Sequence, residues 1–167
     1  MPEMRTLTRA RNDRRAGKAP TTQAGEFVRE EIDHIREGKH GARSTKQAIA
    51  IGLSKARRAG VRQPPPPASA KASTRKSAAA ATRAARKRTP VNARRSRAAV
   101  KRLKKEGRSA VSRKALSQHA RSAARRRTPA ARRRSAAKAE RTKGPRVRQA
   151  AANKAARTRQ RKRRAAR

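Results

Sequence analysis

Apolar residues keep a helical period in two short stretches of this chain and thin out elsewhere. In Glu26–Glu37, Val28, Ile32 and Ile35 recur at i, i+4 and i+7, with Phe27 flanking the stripe, and Gly38 ends the segment. Glu26, Glu30, Asp33 and Glu37 fall on the opposite face. The second stretch opens at Ser44-Thr45-Lys46-Gln47, the pattern of a capping box, in which the serine caps and the glutamine reaches back. Ile49, Leu53 and Ala56 then repeat, and Gly60 closes the helix. Ala48, Gly52 and Ala59 share that side and let a partner helix approach closely. Lys46, Lys55, Arg57 and Arg58 face the other way, with Ile51 exposed among them. A third short helix over Thr6–Ala16 has Leu7 as its only large apolar residue. Phe27, Val28, Ile32, Ile35, Ile49 and Leu53 are a thin core for a lone hairpin. The hairpin is therefore expected to dimerise, to pack on Thr6–Ala16, or to firm up on a ligand.

Pro64–Pro67 follows as a stiff polyproline spacer. Beyond it, residues 68–167 are rich in Ala, Arg, Lys and Ser, with helix propensity but no core. Helical segments are predicted at Ala93–Glu106 (Asn92 cap, Gly107 stop), Ser112–Arg127, Pro129–Thr142 (Thr128 cap) and Val147–Arg167. Like charges at i, i+4 repel along them, so they are expected to be mostly disordered until phosphates neutralise them. The fold class read from the sequence is all-α: a small N-terminal helical hairpin (1–63), a spacer (64–67), and a long, largely disordered basic tail with helix propensity (68–167). A faint internal echo relates Glu37-Gly38-Lys39 and Ser44–Ile49 to Glu106-Gly107-Arg108 and Ser112–Leu116.

Charge sharpens this division. Of 167 residues, 52 are Lys or Arg and nine are Asp or Glu, giving a net charge of +43. Residues 1–63 carry 15 basic and seven acidic groups, net +8, which leaves +35 for residues 64–167. Such a charge calls for a polyanion; it matches ~73 Å of duplex axis at one phosphate per ~1.7 Å. Leu, Ile, Val and Phe number only 15, which excludes a conventional enzyme core, a β-sandwich and a barrel. No apolar run is long enough to span a membrane, the N-terminus has no secretory signal pattern, and zero Cys excludes a disulfide scaffold and Cys-ligated zinc. The expected setting is the cytoplasm, at the nucleoid.

Catalytic chemistry finds little footing. The acidic stripe Glu26/Glu30/Asp33/Glu37 reads as a solvated helix face, or as a counter-charge on which the basic tail docks. Glu30 and His34 stand one turn apart, but His34, His40 and His119 read as ordinary surface histidines, so no metal and no cofactor is expected. Gly38–Thr45 lacks the order of a phosphate-binding nucleotide loop. At Arg43-Ser44-Thr45-Lys46, two cations and two hydroxyls surround a helix start, which suits either a phosphate or a plain cap.

The stronger signal is nucleic-acid contact. Lys46, Lys55, Arg57 and Arg58 form one candidate face, with Arg43 and Ser44 at its end. In the tail, Arg86, Lys87 and Arg88 are followed by Arg94, Arg95, Lys101, Arg102, Lys104 and Lys105. Further along come Arg125, Arg126 and Arg127, then Arg132, Arg133 and Arg134, then Arg161, Lys162, Arg163 and Arg164. Arg88-Thr89-Pro90 and Arg127-Thr128-Pro129 set Thr-Pro steps beside arginines, and Lys143-Gly144-Pro145-Arg146 weakly resembles a minor-groove hook. With one aromatic residue there is no stacking platform for single strands, which favours duplex DNA held by its backbone.

Residues 25–60, GEFVREEIDHIREGKHGARSTKQAIAIGLSKARRAG, resemble the signature of a small bacterial family of basic proteins of unknown function, often labelled DNA-binding or histone-like. The resemblance runs from the N-terminus to the proline run and more loosely over Lys105–Arg127. It implies a nucleoid-type setting and brings no catalytic residues. The tail resembles bacterial histone H1-like tails in composition. Together these readings lead to a non-enzymatic, histone-like DNA-binding protein that acts by charge neutralisation and compaction, with a possible homodimer through the head. RNA or ribosome binding, or a protein-interaction head tethered by its tail, are the alternatives.

Overall fold

A computed structural model describes residues 2–87, 90 and 92–165 of the chain. Among the described residues all regular secondary structure is helical, without a strand. The helices are α1 (Met4–Arg15), α2 (Pro20–Arg36), α3 (Thr45–Arg58), α4 (Ala72–Arg86), α5 (Ala93–Lys104), α6 (Arg113–Arg125) and α7 (Pro129–Ala165), with a 3-10 turn at Ser109–Val111. None of them is long and apolar enough to cross a membrane. The chain divides into two compact units, Met1–Ala120 and Arg121–Arg167.

In the first unit, α2 and α3 pair as the apolar period predicts. Phe27 and Ile35 are completely buried, together with Ala24, Ala48 and Ala56. Val28, Ile32, Ile49 and Leu53 are half-buried. The helices approach so closely at Gly52 that a Cβ there would lie 2.6 Å from the Cα of Val28. α1 packs on α2 and contributes Ala10 and Leu7 to the cluster around Phe27. α4, which the sequence pattern did not predict, packs on α3 and buries Ala81.

The expectation of a long disordered tail is overturned, because the described residues between 72 and 165 are mostly helical. The reasoning behind it counted only core burial. Helices rich in Ala, Arg and Lys draw on backbone hydrogen bonds and high intrinsic propensity, and a good cap supplies the start. Three of them begin that way. The Asn92 side chain accepts from the Arg95 amide at 2.9 Å, Ser112 Oγ from the Ala115 amide at 3.2 Å, and Thr128 Oγ1 from the Ala131 amide at 3.2 Å. The segment predicted at Pro129–Thr142 falls within α7, as does Val147–Arg167 as far as Ala165, its last two residues lying outside the described residues; α7 breaks at Gly144 (φ 60°, ψ 165°) before Pro145.

A second departure lies in the core itself. After α5 the chain turns back onto the loop that joins α2 to α3. The Gly41 amide donates to the Leu103 carbonyl at 2.9 Å, and the Ala42 amide to that of Gly107 at 3.0 Å. The Thr45 hydroxyl donates to the Ala110 carbonyl at 2.6 Å. Val111 and Ala110 are buried against Ile35, Ala42 and Ala48. The echoed segments Glu37–Lys39 and Glu106–Arg108 therefore belong to neighbouring stretches of one packed junction. Arg108 reaches the Arg36 carbonyl, at 3.5 Å. The apolar face of α2 and α3 is covered within the chain by α1 and by this returning segment.

Candidate nucleic-acid interface

Most of the basic residues singled out in the sequence are solvent-exposed. Arg43, Lys46 and Arg58 are exposed on or beside α3. Arg86 and Lys87 end α4, and Arg88 lies outside the described residues together with Thr89. Arg94, Arg95, Lys101, Arg102, Lys104 and Lys105 are exposed along and just after α5. So are Arg125, Arg126 and Arg127 at the end of α6, and Arg132, Arg133 and Arg134 near the start of α7. Arg161, Lys162, Arg163 and Arg164 are exposed near the end of α7. α5 and α6 bury no residue at all. Arg127 bonds back to the Ala131 carbonyl at 3.4 Å and to the Ser135 hydroxyl, which holds one guanidinium over the first turn of α7.

The helix start at Ser44 resolves toward a cap. Ser44 Oγ accepts from the Gln47 amide at 3.2 Å, and Gln47 Oε1 accepts from the Arg43 amide at 2.9 Å. The Thr45 hydroxyl is engaged by Ala110. The Thr45 hydroxyl proton is thus taken up inside the junction, whereas Ser44 serves as a cap acceptor at the exposed helix start beside Arg43 and Lys46.

Two members of the α3 face behave differently from the rest. Arg57 donates to the Pro64 carbonyl at 3.1 Å, and partial burial pulls its guanidinium below its ordinary pKa. Lys55 turns inward, with Nζ 2.6 Å from Glu31 Oε2 and 3.3 Å from Glu30 Oε1. Sequence reasoning placed Lys55 with the exposed cations because a helical wheel carries no information about the neighbouring helix.

The acidic stripe is likewise not a simple solvated face. Glu30 is buried and Glu31 completely so. Glu26 meets Arg9 at 3.8 Å, and the Glu3 amide donates to Glu30 Oε2 at 3.2 Å. The histidines beside these carboxylates are not surface groups. The side chains of His34 and His40 are only 14% and 11% exposed. His34 Nε2 lies 2.7 Å from Glu3 Oε1 and His40 Nε2 3.3 Å from Glu31 Oε1. The His34 contact, followed by Lys39, holds the Glu3 carboxyl below its ordinary pKa. Glu31, His34 and His40 bring one ligand atom each to within 4.8 Å of one another, the spacing of a group able to hold a metal. Against the expectation of ordinary surface histidines, His34 and His40 gather beside Glu31 rather than beside Glu30, which stands one turn before His34.

Residues 13–66 match the model of a family of unknown function, DUF6496. The matched stretch holds α2, α3, the Glu31–His34–His40 cluster and Lys55. No curated protein and no solved structure matches the chain.

Proposed function

We propose that this is a non-enzymatic, nucleoid-type protein that binds duplex DNA through its phosphate backbone. The observation that carries the reading is the exposure of the arginine and lysine clusters along α5, α6 and α7. A run of like charges on the exposed face of a helix has no structural use there. Each repulsive i, i+4 pair costs it a few tenths of a kcal/mol, which phosphates would relieve. The helix starts support the same partner. Neither α5 nor α7 has an acidic residue in its first turn. Arg94 and Arg95 instead stand at the positive end of α5, where a cation is unfavourable and an anion is welcome.

The interface is best assigned to Arg94, Arg95, Lys101, Arg102, Arg125–Arg127, Arg132–Arg134 and Arg161–Arg164, with Arg43, Lys46 and Arg58 as a smaller patch on the first unit. Lys55 is left out because its ammonium is held by Glu31 and Glu30. Backbone contacts of this kind position the protein without reading sequence. Because α1 and the 109–111 turn cover the apolar stripe, the reading does not require a dimer. The test is binding of the full chain to duplex DNA and to structured RNA at fixed salt, with Arg132–Arg134 replaced by Gln in parallel. Tighter binding to the duplex, and a salt dependence flatter by about 2.7 in log–log slope in the variant, support the proposal. Equal or tighter binding to structured RNA assigns the protein to RNA, and no binding at low salt ends the reading.

A further inference from the structure

The end of α2 and the loop after it place one carboxylate and two imidazoles around a common point. Glu31 is completely buried, and its Oε1 has no hydrogen-bond donor aligned on it. Lys55 Nζ, 2.6 Å from Oε2, balances charge on one side of the carboxylate. Oε1 faces His40 Nε2, at 3.3 Å.

The proton inventory of the two rings shows what Oε1 faces. His40 Nδ1 is 3.2 Å from the Gly41 carbonyl, and a carbonyl can only accept, so Nδ1 carries the hydrogen. In the neutral ring, Nε2 then presents a lone pair to a carboxylate oxygen. His34 repeats the arrangement. Its Nε2 is 2.7 Å from the Glu3 carboxylate, which also only accepts, so Nδ1 is left with the lone pair. In its neutral form each imidazole gives one nitrogen to an acceptor and keeps the other as a donor of electrons. The carboxylate is oriented by Lys55 through one oxygen and keeps the other open. Metal-binding histidines are ordinarily held in this way, with the second ring nitrogen donated to a carboxylate or a backbone carbonyl.

We propose that Glu31 Oε1, His40 Nε2 and a ring nitrogen of His34 form a binding site for a divalent first-row transition ion, with Zn²⁺ the best fit to an imidazole–carboxylate donor set. A tetrahedral ion with bonds of ~2.0–2.1 Å needs donor atoms ~3.3 Å apart. The His40–Glu31 edge already measures 3.3 Å. The other edges lie within 4.8 Å and would have to close on binding. Water completes the coordination. The ion would join the end of α2 to the loop that receives residues 103–107, and so would brace the junction that builds the first unit.

The experiment is titration of the full-length, tag-free protein with Zn²⁺ by calorimetry, and with Co²⁺ followed by its visible absorption. One ion per chain is expected, with a tetrahedral Co²⁺ spectrum that Zn²⁺ displaces. His40→Gln should weaken binding by at least ~10-fold while keeping the helical circular dichroism, and His119→Gln should bind as the parent does. Absence of saturable one-to-one binding by the parent protein overturns the proposal, whatever the variants do. So does equal affinity in His40→Gln, which would leave a protonated imidazole as the group that faces Glu31.

Discussion

Gly41 is the position where a single methyl group should separate the returning segment from the rest of the first unit. A Cβ built there would lie 1.9 Å from the Glu106 carbonyl oxygen, 2.4 Å from its carbon and 2.7 Å from the Gly107 oxygen. Non-bonded heavy atoms settle near ~3.5 Å, so the backbone of residues 106–107 would have to withdraw by about 1.5 Å. The neighbours are backbone atoms and cannot rotate away. Withdrawal breaks the bonds that Gly41 and Ala42 donate to Leu103 and Gly107, at 2.9 and 3.0 Å. It also loosens Val111, which is 1% exposed. Two hydrogen bonds at ~1 kcal/mol each and part of a valine burial amount to ~2–4 kcal/mol. In Gly41→Ala, amide hydrogen exchange at positions 41 and 42 should therefore accelerate by roughly 30- to several-hundred-fold, at ~1.4 kcal/mol per tenfold. Protection inside α2, away from the junction, should change far less. The control is Gly25→Ala, on the exposed side of α2 with open space around a Cβ, where a gain of ~0.5–1 kcal/mol is expected. Unchanged exchange at positions 41 and 42 in Gly41→Ala would refute the docked arrangement of residues 103–111.

Three further outcomes follow from the packing. Gly52→Ala should lower the melting temperature by several degrees, despite the better helix propensity of alanine, because its Cβ would sit 2.6 Å from Val28 Cα. Lys55→Met should cost ~3–5 kcal/mol in denaturant unfolding by leaving the buried Glu31 without its 2.6 Å cation, and adding Glu31→Gln should recover part of that loss. Thr128→Ala, which removes the 3.2 Å cap at the Ala131 amide, should weaken the first turns of α7 by ~1 kcal/mol and reduce far-ultraviolet helicity without altering the first unit.

Features set by local hydrogen bonds and helical spacing were legible in the chain. The caps at Ser44, Asn92 and Thr128 are formed as their sequence context indicates. Phe27 and Ile35 belong to the core, and Gly52 permits the close helix approach that small residues at that spacing announce. What escaped depends on partners distant in sequence. Lys55 and Glu31 look exposed or unremarkable on separate helical wheels, because each is turned inward by the other. Val111 sits in a polar, basic stretch, and nothing local marks it as core. The echo of Glu37-Gly38 in Glu106-Gly107 was the available clue that those stretches share a junction. The order of residues 72–165 was hidden for another reason. Low apolar content argues against a core, but a capped, alanine-rich helix forms without one. The same solvated geometry leaves the arginine clusters on the outside, and it is on that exposure that the functional proposal rests.

The most direct test of that proposal is the salt dependence of binding to two duplexes of equal length and unrelated sequence. If ten of the cations meet phosphates, log K should fall against log salt with a slope of about −9 on both duplexes. The two affinities should agree within a few-fold, since backbone contacts carry no sequence information. A shallow slope, or strong preference for one duplex, would contradict binding by charge neutralisation and point instead to a base-reading surface.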